Sequence, residues 1–117
     1  MSKHILLIED DSMLSEMYSM ALVDSGLKVS LLKDGRLAKN ANLVDVDLVL
    51  LDVRLPEVDG LEILQFYRQH GYSKPVIIIT NSPQVSQIQA KSLGATEFLI
   101  KSHTDVSDVL TTIQKYL

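Results

Sequence analysis

Residues 48–60 read Leu-Val-Leu-Leu-Asp-Val-Arg-Leu-Pro-Glu-Val-Asp-Gly and place a carboxylate directly after an unbroken apolar run. A short continuous apolar run of this kind is typical of a strand that is buried on both faces of a sheet. Asp52 would then stand at the carboxyl end of that strand, where open α/β sheets bind their ligands. The sequence therefore marks Asp52 as the first candidate for a chemical role.

A second acidic cluster follows another apolar run, because residues 5–8 are Ile-Leu-Leu-Ile and residues 9–11 are Glu-Asp-Asp. If the two strand ends meet, their carboxylates form a site for a hard cation beside a candidate nucleophile. Taken alone, such a cluster is more often a solvated loop, and Asp11 has a simpler use in helping to cap the next helix.

Strand-like and helix-like segments alternate along the chain, which predicts an α/β protein with a doubly wound parallel sheet. The predicted strands are residues 4–9, 27–32, 47–51, 76–80 and 96–100. The predicted helices begin at Ser12, after Asp34-Gly35, at Gly60, at Ser82-Pro83 and near Thr104. Ser12 and Ser82 are the predicted caps of their helices, with Pro83 at a first helical position.

The composition of the strands predicts their order in the sheet. The first, third and fourth are apolar throughout, as expected of central strands that are covered on both faces. The second and fifth contain Lys28, Ser30 and Glu97, so they are expected at the edges. The order 2-1-3-4-5 satisfies both conditions and puts the acidic ends of strands 1 and 3 at the switch point of the sheet.

Composition excludes several classes of protein. The 117 residues suit one domain, 1–117, and the lack of cysteine excludes disulfides and thiolate metal sites. The net charge of -4 argues against direct binding of nucleic acid. No apolar run is long enough to cross a membrane and the first residues lack a signal-peptide pattern, so we expect a cytoplasmic location.

Three more residues at the strand ends complete a recognisable set: Thr80 ends the fourth predicted strand, Lys101 follows the fifth, and Phe98 lies within the fifth. This set resembles the receiver domain of two-component response regulators, and the resemblance spans the whole chain. The motif that supports it runs from Leu51-Asp52 through Pro56 to Asp59-Gly60. The resemblance implies a flavodoxin-like fold with five strands and five helices. It also implies a signalling switch with at most weak autophosphatase activity, rather than a metabolic enzyme.

The resemblance further implies a partner and a metal. Asp52 would accept a phosphoryl group from the phosphohistidine of a histidine kinase or a histidine phosphotransfer protein. Glu9, Asp10 and Asp52 would hold Mg²⁺ together with the backbone carbonyl of Arg54. The physical basis is sound, because clustered carboxylates repel one another unless a cation joins them, and phosphoryl transfer depends mainly on positioning and charge neutralisation.

The remaining implied roles concern the switch. Thr80 would hydrogen-bond the phosphoryl group, Lys101 would pair with it, and Phe98 would turn inward when Thr80 moves. The output face would comprise the fourth helix, the fifth strand and the fifth helix, and would bind an effector protein or a second copy of the chain. The chain is expected to be a stand-alone receiver or a part of a longer regulator.

Three residues depart from the pattern of the family. Ser102 replaces the proline that commonly follows the lysine. A cis bond before a non-proline residue costs about 2.5–4 kcal/mol, so we predict a trans bond and a shifted loop. Asn81 is larger than the usual alanine, glycine or serine and is predicted to narrow access to the phosphoryl group. Arg54 has three open alternatives: to clamp the phosphoryl group, to pair with Glu9, or to lie outward in solvent.

Alternatives from other functional classes are weaker. Phosphatases and phosphotransferases with an aspartyl nucleophile usually carry a second aspartate two residues later, where this chain has Arg54. An interaction module that works without phosphorylation has no need of the acidic pair, Thr80 and Lys101. Nucleotide binding lacks support because no glycine-rich loop follows the first predicted strand.

Overall fold

A parallel sheet forms the centre of the computed structural model, which describes residues 2–56, 58–81 and 86–117. The strands are β1 (His4–Ile8), β2 (Lys28–Leu32), β3 (Leu48–Asp52), β4 (Arg54–Leu55), β5 (Val58–Asp59), β6 (Val76–Thr80) and β7 (Glu97–Ile100). The helices are α1 (Ser12–Asp24), α2 (Gly60–Gln69), α3 (Gln87–Ser92) and α4 (Val106–Lys115), with short 3₁₀ helices at Gly35–Asn40 and Lys101–His103.

The order of the main sheet is β2-β1-β3-β6-β7, which confirms the predicted order 2-1-3-4-5 of its five strands. β4 and β5 form a separate antiparallel pair between β3 and α2. The central strands β3 and β6 are buried along their whole length, whereas the edge strands β2 and β7 are partly exposed, as their polar residues predicted.

The two faces of the sheet bury different sets of side chains, because successive residues of a strand point to opposite faces. Leu51 and Ile78 lie on the face covered by α2 and α3. Leu50 and Ile77 lie on the face covered by α1 and α4. Covering on both faces explains why the central strands read as continuous apolar runs rather than as alternating ones.

Two details of the helices differ from the sequence prediction. The cap of α1 is Asp11 rather than Ser12, since the Asp11 side chain accepts a hydrogen bond from the Leu14 amide at 2.9 Å. The second predicted helix is the 3₁₀ helix Gly35–Asn40, which stops three residues before the predicted end at Leu43. The predicted start at Ser82-Pro83 lies outside the described residues, and Ser86 caps the helix Gln87–Ser92.

Gly60 fixes the path of the chain from β3 to α2. Its amide donates to the carbonyl of Val53 at 2.8 Å, and Asp59 caps the helix through the Leu61 amide at 2.9 Å. A Cβ at position 60 would collide with the backbone of Val53 and would lie 2.7 Å from the carbonyl oxygen of Asp52. The close approach of α2 to the end of β3 therefore requires glycine.

Within the described ranges, every helix is too short or too polar to cross a lipid bilayer.

Candidate functional site

Polar side chains are buried at the carboxyl ends of three adjacent strands. Glu9 follows β1, Asp52 ends β3 and Thr80 ends β6, and their exposed fractions are 1%, 3% and 1%. The register explains this meeting, since β1 pairs with β3 through Ile8 and Leu51, and Asp52 pairs with Ile79 of β6. Burial of polar groups is costly unless they find partners, so this edge of the sheet is a candidate for chemistry rather than for packing.

Glu9, Asp10 and Asp52 each place a carboxylate oxygen within 4.8 Å of the others. Glu9 Oε2 accepts a hydrogen bond from the Asp11 amide at 3.2 Å, whereas the buried Oε1 accepts no hydrogen bond from any described group. A buried oxygen with a free lone pair, next to two further carboxylates, fits a hard divalent cation such as Mg²⁺. The predicted acidic cluster is therefore brought together as expected.

Lys101 provides the positive charge of the site. Its Nζ lies 2.9 Å from Asp52 Oδ2 and 2.7 Å from Glu9 Oε1, and its side chain is 13% exposed. Burial acts to lower the pKa of Lys101, but its hydrogen bonds to Glu9 and Asp52 outweigh burial and raise that pKa above the ordinary value. The ammonium therefore stays charged between the two carboxylates.

Glu9 is the carboxyl group most affected by its surroundings. Burial raises the pKa of Glu9 to about 7, and the charge of Asp52 adds to this effect, while the hydrogen bond with Lys101 opposes it. A raised pKa is what clustered carboxylates show when they share too little positive charge. One lysine does not neutralise the whole cluster, which leaves a place for a further cation.

Arg54 takes part in the site through its backbone. Its amide donates to Asp52 Oδ1 at 3.0 Å, so both oxygens of Asp52 are held, one by this amide and the other by Lys101. The Arg54 side chain is exposed, in line with the solvated alternative. The predicted pairing of Arg54 with Glu9 is wrong, because Lys101 is the cation beside Glu9.

Thr80 and Phe98 lie on the same face of the sheet. Phe98 pairs in register with Ile78, two residues before Thr80, and residues two apart on a strand share a face. Phe98 is half-buried and packs against the core under α2 and α3. The side chain predicted to turn thus lies beside the strand that ends in Thr80.

Two of the departures from the family pattern meet in the structure. The Ser102 amide donates to Asn81 Oδ1 at 2.8 Å. The described residues contain no cis peptide bond, so the bond between Lys101 and Ser102 is trans, as predicted. This contact was missed in the sequence, although the paired departures were its only signal.

Comparison with known proteins agrees with this geometry. Residues 5–114 match the family described as "Response regulator receiver domain". The transcriptional regulatory protein PcoR of Escherichia coli is 33% identical over 101 residues, which cover 85% of this chain and 45% of PcoR. The chain spans less than half the length of the first curated relatives that it matches.

Solved structures show the same fold over nearly all of the chain. The chemotaxis protein CheY4 of Vibrio cholerae is 27% identical, with a TM-score of 0.85 and full coverage of both chains. The response regulator TrrA of Thermotoga maritima, solved in complex with Mg²⁺ and BeF, is 23% identical with a TM-score of 0.86, and the match covers 98% of this chain and 99% of TrrA. This chain belongs to the receiver domain family of two-component response regulators.

Proposed function

We propose that residues 1–117 form a single receiver domain that accepts a phosphoryl group on Asp52 from a phosphohistidine donor in a Mg²⁺-dependent reaction. The observation that carries this proposal is the surrounding of Asp52, a buried carboxylate that is held by Lys101 and lies beside Glu9 and Asp10. Since a buried acidic cluster destabilises a fold unless it is paired, its presence favours a chemical role.

The transfer requires an attacking oxygen, a departing group and neutralised charge. An oxygen of Asp52 forms the bond to phosphorus while the phosphorus–nitrogen bond of phosphohistidine breaks, and the electron pair stays on the imidazole nitrogen. The Arg54 amide and Lys101 hold the two carboxylate oxygens and fix the direction of attack. Such positioning is the main contribution of a protein to phosphoryl transfer.

Mg²⁺, when bound, supplies the positive charge that offsets the anionic donor and the carboxylates. Glu9, Asp10, Asp52 and the Arg54 carbonyl are the groups that would hold it, and the unbonded Oε1 of Glu9 supports this assignment. The complex of TrrA with Mg²⁺ and BeF is consistent with such a site in a relative of the same fold.

The proposed switch begins at Thr80 and Lys101. A phosphoryl group adds about two negative charges and three acceptor oxygens beside them, enough to favour a new position of Thr80. Phe98 would then turn toward the core on the face that it shares with Thr80. The output face comprises α3, β7 and α4, where the exposed side chains of Ile88 and Ile100 offer apolar contact to an effector protein or a second copy.

The donor would be a histidine kinase or a histidine phosphotransfer protein, and a cytoplasmic location stays a prediction from the sequence. The test is incubation of the purified protein with acetyl phosphate and Mg²⁺, followed by measurement of its intact mass. One added phosphoryl group that requires Mg²⁺ and disappears with EDTA would support the proposal. A lack of any adduct would favour an interaction module that works without phosphorylation.

A further inference from the structure

We propose that Asn81 is a positioning residue, which holds Lys101 against the reacting carboxylate through a hydrogen bond from the Ser102 amide to its Oδ1. This inference rests on the proposed phosphorylation of Asp52. The contact joins the loops that follow β6 and β7, at a distance of 2.8 Å between residues that lie 21 positions apart.

The bond supplies a partner that the local chain lacks. Ser102 lies in the 3₁₀ helix Lys101–His103, and Ile100, at its N-cap, makes no side-chain cap hydrogen bond. The first amides of a helical turn have no partner within the turn, so they need one from elsewhere. Asn81 provides that partner from the neighbouring strand end, as a cap contributed across the sheet.

The position of the bond relates it to the reaction. Thr80 and Ile100 are the last paired residues of β6 and β7. Asn81 and Ser102 connect the two chains just beyond that pair, and Lys101 lies between Ile100 and Ser102. Both backbone neighbours of Lys101 are thereby tied to β6, one by strand pairing and the other by the Asn81 side chain.

Lysine has a special need for such an anchor. Its ammonium sits at the end of a flexible four-carbon stem, so its geometry depends on where the backbone holds it. The Lys101 ammonium must contact Asp52 Oδ2 at 2.9 Å, and a small displacement of the reacting groups is costly to phosphoryl transfer. A proline at position 102 would have no amide to donate, so the anchor depends on the residue types at both positions.

The experiment compares Asn81→Ala with Ser102→Ala as a matched control. Ser102→Ala removes the exposed hydroxyl but keeps the backbone donor, so it should behave like the parent. In Asn81→Ala we expect faster hydrogen exchange of the residue 102 amide. We also expect a labelling rate at saturating acetyl phosphate and Mg²⁺ that is lower by about two- to tenfold, the factor equivalent to one net hydrogen bond. The apparent affinity for Mg²⁺, measured by calorimetry, should not change.

Each other outcome has a definite meaning. Unchanged amide exchange in Asn81→Ala would show that the bond is not formed and would overturn the inference. Faster exchange with an unchanged labelling rate would overturn the positioning role while the proposed function stands. A weaker Mg²⁺ affinity would point to general damage to the site and would also overturn it. A parent that accepts no phosphoryl group would contradict the proposed function itself, and the inference with it.

Discussion

The ammonium of Lys101 lies 2.7 Å from Oε1 of Glu9, an oxygen that accepts no hydrogen bond within the described part of the chain. The same oxygen belongs to the carboxylate cluster that fits a divalent cation. Lys101 and Mg²⁺ therefore act on the same carboxylates, and each reduces the repulsion that the other would otherwise have to offset.

Replacement of Lys101 by alanine should make the protein more dependent on Mg²⁺ for stability. Without the ammonium, Glu9 and Asp52 remain buried without a cation, so the free energy of unfolding in EDTA should fall by about 1–3 kcal/mol. Mg²⁺ should restore more stability to Lys101→Ala than it adds to the parent. Urea unfolding monitored by circular dichroism, with Mg²⁺ and with EDTA, measures both effects.

Lys39→Ala is the matched control for this experiment. Lys39 forms an exposed pair with Glu62 at 3.6 Å, and such surface pairs contribute little to stability. Its free energy of unfolding should stay within about 0.5 kcal/mol of the parent value. Equal stabilisation of Lys101→Ala and the parent by Mg²⁺ would contradict the shared use of the carboxylates.

Gly60→Ala should disturb both the fold and the acceptor. The added methyl group meets the backbone of Val53 and the carbonyl of Asp52, which cannot move aside as a flexible side chain would. We expect a loss of about 1–3 kcal/mol in the free energy of unfolding and slower phosphorylation of the folded protein. Gln65→Ala, at an exposed position of the same helix, should change the free energy by less than about 0.5 kcal/mol. Stability and labelling equal to the parent would show that α2 does not fix the end of β3.

The contact between Glu97 and Tyr116 predicts a pH dependence for the docking of α4 on β7. The hydrogen bond from the Tyr116 hydroxyl, aided by Lys115 against the opposing effect of burial, lowers the pKa of Glu97 below its ordinary value of 4.5. Because the folded-state pKa is lowered, this contribution to stability is present above about pH 4.5 and is lost as the pH falls through the folded-state pKa.

Tyr116→Phe tests this contribution directly. It should lower the stability of the protein near neutral pH, and the difference from the parent should shrink as Glu97 becomes protonated. Urea unfolding at neutral pH and at about pH 3 measures the two differences. A difference of equal size at both pH values would mean that the hydroxyl acts independently of the Glu97 charge.

The positions of Glu9, Asp52 and Thr80 were predictable because each directly follows an apolar run that can only be a central strand. The parallel arrangement then brings their side chains together at one edge. The cap of α1 was less predictable, because Asp11 and Ser12 are adjacent and both are good capping residues. The structure decides for Asp11, whose side chain accepts the hydrogen bond of Leu14.

The contact between Asn81 and Ser102 had no local signal. It depends on the register of β6 and β7, which brings together the ends of two strands that are 21 residues apart in sequence. The pairing of Lys101 with Glu9, rather than of Arg54 with Glu9, likewise depends on the directions in which the side chains leave the backbone. A single sequence does not contain those directions.

The most direct test of the central claim is to locate the phosphoryl group by intact mass measurement of three proteins after treatment with acetyl phosphate and Mg²⁺. These are the parent, Asp52→Asn and Asp24→Asn, in which an exposed aspartate on α1 is changed as the matched control. We predict one added phosphoryl group on the parent and on Asp24→Asn, and none on Asp52→Asn. An adduct that persists on Asp52→Asn, or no adduct on the parent, would contradict the assignment of Asp52 as the phosphoryl acceptor.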